Sequence, residues 1–120
     1  MAAKDDLGRD GENRAASFLT DRGYRILDRN WRCPLGEIDI VALEAGEIVV
    51  VEVKTRTSER FGHPLEAIDA RKRARLWRLA VAWCLAHPAE ARGRAVRIDA
   101  VSVLGVDAGT GHVEHLRDVR

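Results

Sequence analysis

The alternation of apolar and polar residues is clearest between Gly36 and Arg56, where it predicts two antiparallel strands. The first arm is Gly36-Glu-Ile-Asp-Ile-Val-Ala-Leu43. The second is Ile48-Val-Val-Val-Glu-Val-Lys-Thr-Arg56, and Glu-Ala-Gly-Glu47 joins them. Closing the loop symmetrically on Ala45-Gly46 sets Leu43 against Ile48, Val41 against Val50, Asp39 against Glu52 and Glu37 against Lys54. Ile38, Ile40 and Ala42 then share the other face with Val49, Val51 and Val53. That second face is wholly apolar. The first is apolar near the turn but carries two opposed carboxylates and a lysine at its far end. Like charges directly opposite each other destabilise a sheet, and Glu52 interrupts a run hydrophobic enough to be buried on both sides. A buried carboxylate must be paired, protonated or bound to a metal. A divalent cation between Asp39 and Glu52 would turn the repulsion into a site.

Around this hairpin the pattern changes period. Leu7 to Arg22 reads as a helix, capped by Asp5 or Asp6 and ended by Gly23, with Ala15, Ala16, Phe18 and Leu19 inward. Glu12 lies at the edge of that stripe; periodicity alone favours a solvated first-turn glutamate. Tyr24 to Arg32 reads as a strand, and Cys33-Pro34-Leu35-Gly36 turns into the hairpin. Trp31 is a candidate platform for a stacked base, although a lone Trp more often packs in a core. Thr57 to Pro64, with Arg60, is a polar loop beside Lys54 and Arg56, well placed to bind substrate. Leu65 to His87 is the longest helix, stopped by Pro88. Ile68, Lys72, Leu76, Leu79 and Trp83 follow one stripe of it, which puts Lys72 in line with core positions; Trp77 also reads as core. Pro88 to Arg94 reads as a loop, Ala95 to Leu104 as a strand with Val96, Ile98 and Ala100 on one face, and Val113 to Val119 as a last short strand.

Length and composition leave this picture intact. A chain of 120 residues with 46% hydrophobic and 32% charged content suits one soluble domain, 1–120. No apolar run approaches the roughly 18 residues of a membrane span. The opening Met1-Ala-Ala-Lys-Asp-Asp6 lacks a signal-peptide core, so the expected location is cytoplasmic, with no membrane partner. Cys33 and Cys84 are isolated and suit a reducing compartment. A formal net charge of +1 means that nucleic-acid binding must come from local patches. One such patch runs from Ala70 to Arg78, where Arg71, Lys72, Arg73, Arg75 and Arg78 occur without an acid. It is either a solvated face or a phosphate-contacting surface. His112-Val-Glu-His115 is a poor zinc motif, because its two histidines would face opposite sides of a strand. Asp99 is a candidate salt-bridge partner for an Arg and has no assigned catalytic role.

Gly36-Glu-Ile-Asp39, thirteen residues before Glu52-Val-Lys54, resembles the acid…acid-x-lysine signature of the restriction-endonuclease-like nuclease superfamily. More closely, the chain resembles the small bacterial family UPF0102, also called the YraN family. The resemblance runs through Gly8-x-x-Gly-Glu12 and Ala16, Gly23-Tyr24, Asn30, Gly36-Glu-Ile-Asp-Ile-Val41 and Val51-Glu-Val-Lys-Thr-Arg56. It continues through Phe61-Gly62, Lys72 and Arg97-Ile-Asp99. It implies an α/β fold, a central mixed β-sheet flanked by α-helices, similar to archaeal Holliday-junction resolvases. It also implies that Asp39 and Glu52 bind Mg²⁺ or Mn²⁺, with Glu12 completing the site directly or through water. The Pro that nominally precedes the first acid is here Ile38.

The residue types fit that chemistry. Asp39, Glu52 and the Val53 carbonyl offer hard oxygen ligands, and Lys54 would orient water or steady the phosphorane. Arg56, Arg60, Arg71, Lys72, Arg73 and Arg75 would hold flanking phosphates. The expectation is a metal-dependent endonuclease acting on DNA, by analogy branched or structured DNA. The first alternative is a non-catalytic nucleic-acid-binding module that works with a protein partner. The second is an interaction protein in which Asp39, Glu52 and Lys54 form only a buried ion network. Cutting both strands of a junction would favour a homodimer.

Overall fold

The computed structural model describes residues 3–56, 69–105 and 111–119, with side chains from residue 8 onward. The elements in chain order are α1 (Ala3–Asp21), β1 (Arg25–Cys33), β2 (Gly36–Glu44), β3 (Glu47–Arg56), α2 (Ala70–Ala86), α3 (Pro88–Ala91), β4 (Val96–Leu104) and β5 (His112–Leu116). The strands form one sheet in the order β1-β2-β3-β4-β5. Its neighbours pair antiparallel except β3 and β4, which run parallel because α2 and α3 lie between them in the chain. The fold is therefore α/β, a mixed sheet flanked by helices.

The two faces of the sheet carry separate cores. Ala15 and Leu19 of α1 pack with Ile40, Ala42, Val49, Val51, Val101 and Val103. On the other face Leu76, Leu79, Ala80 and Trp83 of α2 pack with Val41, Ile48, Val50, Ile98 and Ala100. β3 lies between β2 and β4 and is covered by both helices, which is why Val49 to Val51 are all fully buried. Each such side chain contributes about 1.5–3 kcal/mol of burial.

Several expectations are corrected here. α1 begins at Ala3, so Asp5 and Asp6 lie within the helix rather than at its cap. α2 begins at Ala70, because Asp69 is extended (φ −90°, ψ −177°) and its side chain accepts the Lys72 N–H at 2.9 Å. The earlier part of the expected helix, with Ile68, and the Thr57 to Pro64 loop, with Arg60, lie outside the described residues. Pro88–Ala91, expected as part of a loop, form the short helix α3, for which Pro is suited at the first turn. Trp77 is 37% exposed, whereas Trp83 is buried as expected and donates to Asp28 at 3.0 Å.

The hairpin closes as its pattern predicts. Ala45 (φ 53°) and Gly46 (φ 78°) both have the positive φ of a tight two-residue turn, and Leu43–Ile48 and Val41–Val50 are rungs. Ile38 departs from the pattern: it packs with the α2 core, whereas Ile40 and Ala42 pack with α1. The pleat is broken at this point. Asn30 has φ 53°, and neither Asn30 nor Asp39 forms a regular rung between Arg29–Ile40 and Trp31–Ile38.

A second buried feature ties the late strands together. Asp99, fully buried, accepts hydrogen bonds from Arg97 Nε (3.0 Å), the Tyr24 hydroxyl (2.9 Å) and the Asp118 N–H (2.9 Å), and lies 2.8 Å from His115 Nε2. Arg97 also reaches Glu44 and Glu47, each at 2.7 Å. Burial opposes ionisation of Asp99, but His115, Arg97, Asp118 and Tyr24 together hold its carboxyl below the usual range. The Asp99–Arg97 pairing agrees with the sequence reading. The His115 contact was not legible there, while the exposed His112 confirms that the two histidines diverge.

Two substitutions test this packing. A Cβ on Gly11 would overlap the Thr55 side chain, so α1 can approach β3 only because residue 11 is glycine. Gly11→Ala should cost about 1–3 kcal/mol in urea denaturation, with part restored by Thr55→Ala. Arg97→Met strands the buried Asp99 and should cost about 3–5 kcal/mol in the same measurement.

Candidate active site

The regular β2–β3 ladder ends at Ile40–Val51. Beyond that rung β3 keeps its parallel partner β4 as far as Arg56, while β2 continues beside β1. The two central strands therefore fork, and the expected rungs Asp39–Glu52 and Glu37–Lys54 do not form. Instead Asp39 Oδ2 accepts the Val53 N–H at 2.8 Å, a side chain taking the place of a strand carbonyl. Glu37 turns to Arg32 at 3.4 Å on the exposed side. A residue's N–H and C=O point to the same side of a strand, so the Val53 carbonyl also lies along this forked edge.

Glu52 is buried, 8% exposed, and its Oε2 lies between two ammonium groups. Lys72 Nζ is 2.9 Å away and Lys54 Nζ 3.2 Å away. Lys54 shares a strand face with Glu52, as its spacing predicts. Lys72 comes from α2, projecting from the same side of the helix as Leu76, Leu79 and Trp83. Sequence reasoning placed it correctly on the core stripe but expected it among flanking phosphate contacts; here it pairs with the carboxylate directly.

Electrostatics distinguishes the two acids. Burial works against the Glu52 charge, but the hydrogen bond from Lys72 and the nearby Lys54 ammonium keep its pKa below the ordinary value. Among the described residues no cation pairs with Asp39, and burial followed by the Glu52 charge pushes it up to about 7 despite the Val53 N–H bond. Lys54 is lowered by burial and by the neighbouring Lys72 ammonium, against the pull of the Glu52 charge. Lys72 is raised, because burial is outweighed by its contact with the Glu52 carboxylate. The result is one settled carboxylate and one frustrated one.

Glu12 is half-buried on α1 beside Asn30. Burial raises its pKa, and the charges of Glu37 and Glu52 add to the shift while Asn30 and Arg29 oppose it. It thus faces the fork from the α1 side without joining a ready ligand set. Among the described residues no three His, Cys, Asp or Glu side chains converge as a metal cluster. Arg29 reaches Asn13 on α1 at 2.8 Å. The roles of Asn30 and Arg29 beside Glu12 had no signal in periodicity; Asn30 was visible only as part of the family pattern.

The expected phosphate contacts divide. Arg56 is exposed at the end of β3, and Arg71 and Arg75 are exposed on α2. Arg73 is half-buried. Arg71, Arg75 and Arg78 follow helical spacing along one side of α2, and Arg75 lies over Gly36 at the start of β2. Among the described residues no helix is long and apolar enough to cross a membrane.

A mixed sheet between two helices, forked at a carboxylate pair with two lysines, defines a small α/β protein with a buried acid–lysine centre. Comparison with known proteins places it further: the profile described as "Uncharacterised protein family UPF0102" matches residues 11–103, and the chain belongs to that family. A UPF0102 protein of Paenarthrobacter aurescens is 56% identical over 119 residues, covering 99% of this chain and 97% of its own. One from Moorella thermoacetica is 57% identical over 96 residues, covering 80% and 78%. Among solved structures, the crystal structure of a repair endonuclease from Pyrococcus abyssi aligns with a TM-score of 0.47 at 19% identity. That alignment covers 81% of this chain, which spans 40% of the length of the other.

The raised Asp39 carboxyl gives a pH-dependent stability. Its ordinary value is 3.8 and its folded value about 7, so between them the native chain binds more protons than the unfolded one. Stability therefore falls as pH rises through that window. Asp39→Asn should lack this slope and gain on wild type from pH 5 to pH 8 in urea denaturation. Parallel stability profiles would show that Asp39 titrates normally.

Proposed function

We propose that the chain is a metal-dependent nuclease that hydrolyses phosphodiester bonds in DNA, with its centre at the β2–β3 fork. The observation that carries this reading is Glu52 Oε2, held between Lys54 and Lys72 beside a frustrated Asp39. Such an arrangement is costly as a stabilising device, since buried ion pairs seldom offset their own desolvation. It suits a site where cation and phosphate charge change during reaction.

The donor set fits Mg²⁺ or Mn²⁺. Two carboxylates and a carbonyl are hard oxygen ligands, and a cation would remove the like-charge repulsion that raises Asp39. Asp39, Glu52 and the Val53 carbonyl would hold the ion, with Glu12 approaching from α1. When bound, it supplies Lewis acidity toward water and the phosphate oxygens. The chain's own groups do the rest. Lys54 Nζ donates hydrogen bonds toward the attacking water or a phosphate oxygen. Lys72 Nζ, 2.9 Å from Glu52 Oε2, would offer a second ammonium to the developing charge. Arg71 and Arg75 carry the adjacent phosphates along one side of α2, with Arg56 at the end of β3. Branched or structured DNA is the proposed substrate by analogy alone.

One observation favours a second reading, a binding module without turnover: both lysines already engage Glu52. End-labelled single-stranded, duplex, flap and four-way-junction DNA separate the two, assayed with Mn²⁺, Mg²⁺ or EDTA. Wild type should cut only with metal, and Glu52→Gln should be slower by at least about a hundredfold while still binding. Equal cutting by both proteins, or binding without cutting by wild type, rejects the nuclease. Independently of activity, Mn²⁺ should raise the melting temperature of wild type above pH 7 and leave Asp39→Asn unmoved. Replacing Arg71 and Arg75 with alanine should reduce the salt slope of DNA binding by about 2.

A further inference from the structure

The outward side of α2 carries an apolar stripe that the nuclease reading does not use. Trp77 (37% exposed), Val81 (56%) and Leu85 (77%) follow one another at four-residue steps. Ala70 and Ala74 continue the stripe toward the helix start and are exposed as well. Leu35, in the β1–β2 turn, is 52% exposed and stands beside it. Leu35, Trp77, Arg78, Val81, Ala82 and Leu85 line an open groove of about 430 Å³. Large apolar side chains clustered in this way mark a contact surface, whereas scattered ones do not.

We infer that this face of α2 is the interface of a two-fold homodimer, in which the α2 helices of two copies cross antiparallel near Val81. Shape is the first reason. A ridge of residues at four-residue steps with a groove alongside is self-complementary, and ridges seated in grooves are the common way two helices pack. With the axis at Val81, Trp77 of each copy meets Leu85 of the other, and Val81 meets its own counterpart.

Charge selects a second copy of this chain as the occupant. α2 has no acid in its first turn and no base in its last, so no charge within the helix complements its macrodipole. Its cations, Arg71, Lys72, Arg73, Arg75 and Arg78, all lie in the first half, while Leu79 to Ala86 carry no charge. An antiparallel crossing keeps the two basic halves at opposite ends of the pair. It also brings each toward the negative helix end of the partner, near the exposed Glu90 of α3. A parallel pairing would stack cation on cation, and an acidic partner protein would leave the uncharged centre of the stripe without a complement. Lys72 remains on the inner side of α2 against Glu52, so the interface does not cover the carboxylate fork.

The inference stands apart from the nuclease reading, because its test measures mass. Sedimentation of the full chain should give a concentration-dependent species of twice 13.4 kDa. Val81→Glu and Leu85→Glu, both at exposed positions, should each weaken association by at least about tenfold with unchanged circular dichroism. With Cys33 and Cys84 replaced by alanine, Val81→Cys should form a disulfide-linked dimer on mild oxidation, whereas Arg92→Cys should not. Glu52→Gln should associate like wild type. A chain that stays monomeric at all concentrations overturns the inference. So does a dimer that neither glutamate weakens, or one in which Cys at position 92 cross-links as readily as at 81.

Discussion

The constraint on which the architecture turns is the burial of Glu52 in the middle strand of the sheet. β3 is covered by α1 on one face and α2 on the other, and its neighbours leave the carboxylate little water. An ionised group there requires cations at contact distance. Lys54 is supplied by the strand itself and Lys72 by the helix above it. Pairing with Lys72 therefore ties α2 to the sheet at the place where the two central strands part. Asp39 completes the arrangement by capping the Val53 N–H that the departing strand leaves without a rung.

The molecule buries a second ionised carboxylate, and the contrast shows what sets the first apart. Asp99 is surrounded by Arg97, Tyr24, His115 and the Asp118 N–H, and it is held firmly ionised. Burial and Asp99 together push the Tyr24 hydroxyl up to about 12, so it remains a donor. This network locks β4, β5 and the turn of the β2–β3 hairpin together, and its charges are mutually satisfied. At the fork, by contrast, one carboxylate is shared by two ammoniums and the other is raised by its neighbour. Groups held away from their preferred protonation are where a protein is prepared to exchange partners. The first network is a fastening, and the second is a site.

Much of this was legible in local pattern. The turn at Ala45-Gly46, the apolar rungs nearest it, the inward stripe of α1 and the core face of α2 follow from side-chain periodicity, which depends on backbone geometry alone. The divergence of His112 and His115 follows for the same reason; that Asp99 would pair with an Arg was also expected, but only the structure identifies it as Arg97. The start of α1 was misread where Asp5 and Asp6 both offered caps, and α2 begins only after Asp69, whose extended backbone is not legible in the sequence.

The sequence by itself determined the α/β layering, the family, and the placing of Asp39, Glu52, Lys54 and Lys72 on or beside buried faces. These are properties of neighbours a few residues apart. The tertiary structure alone decided that the strands fork after Ile40 and Val51, and that Ile38 crosses to the α2 side. It also decided that Lys72 ends on Glu52, that Glu12 sits beside Asn30, and that Trp77 joins an exposed stripe instead of a core. Each depends on where a distant segment packs, and alternation along one strand contains no information about its neighbour's departure. A hydrophobic pattern specifies which face turns inward; the partners it meets there are set by the packing of the whole chain.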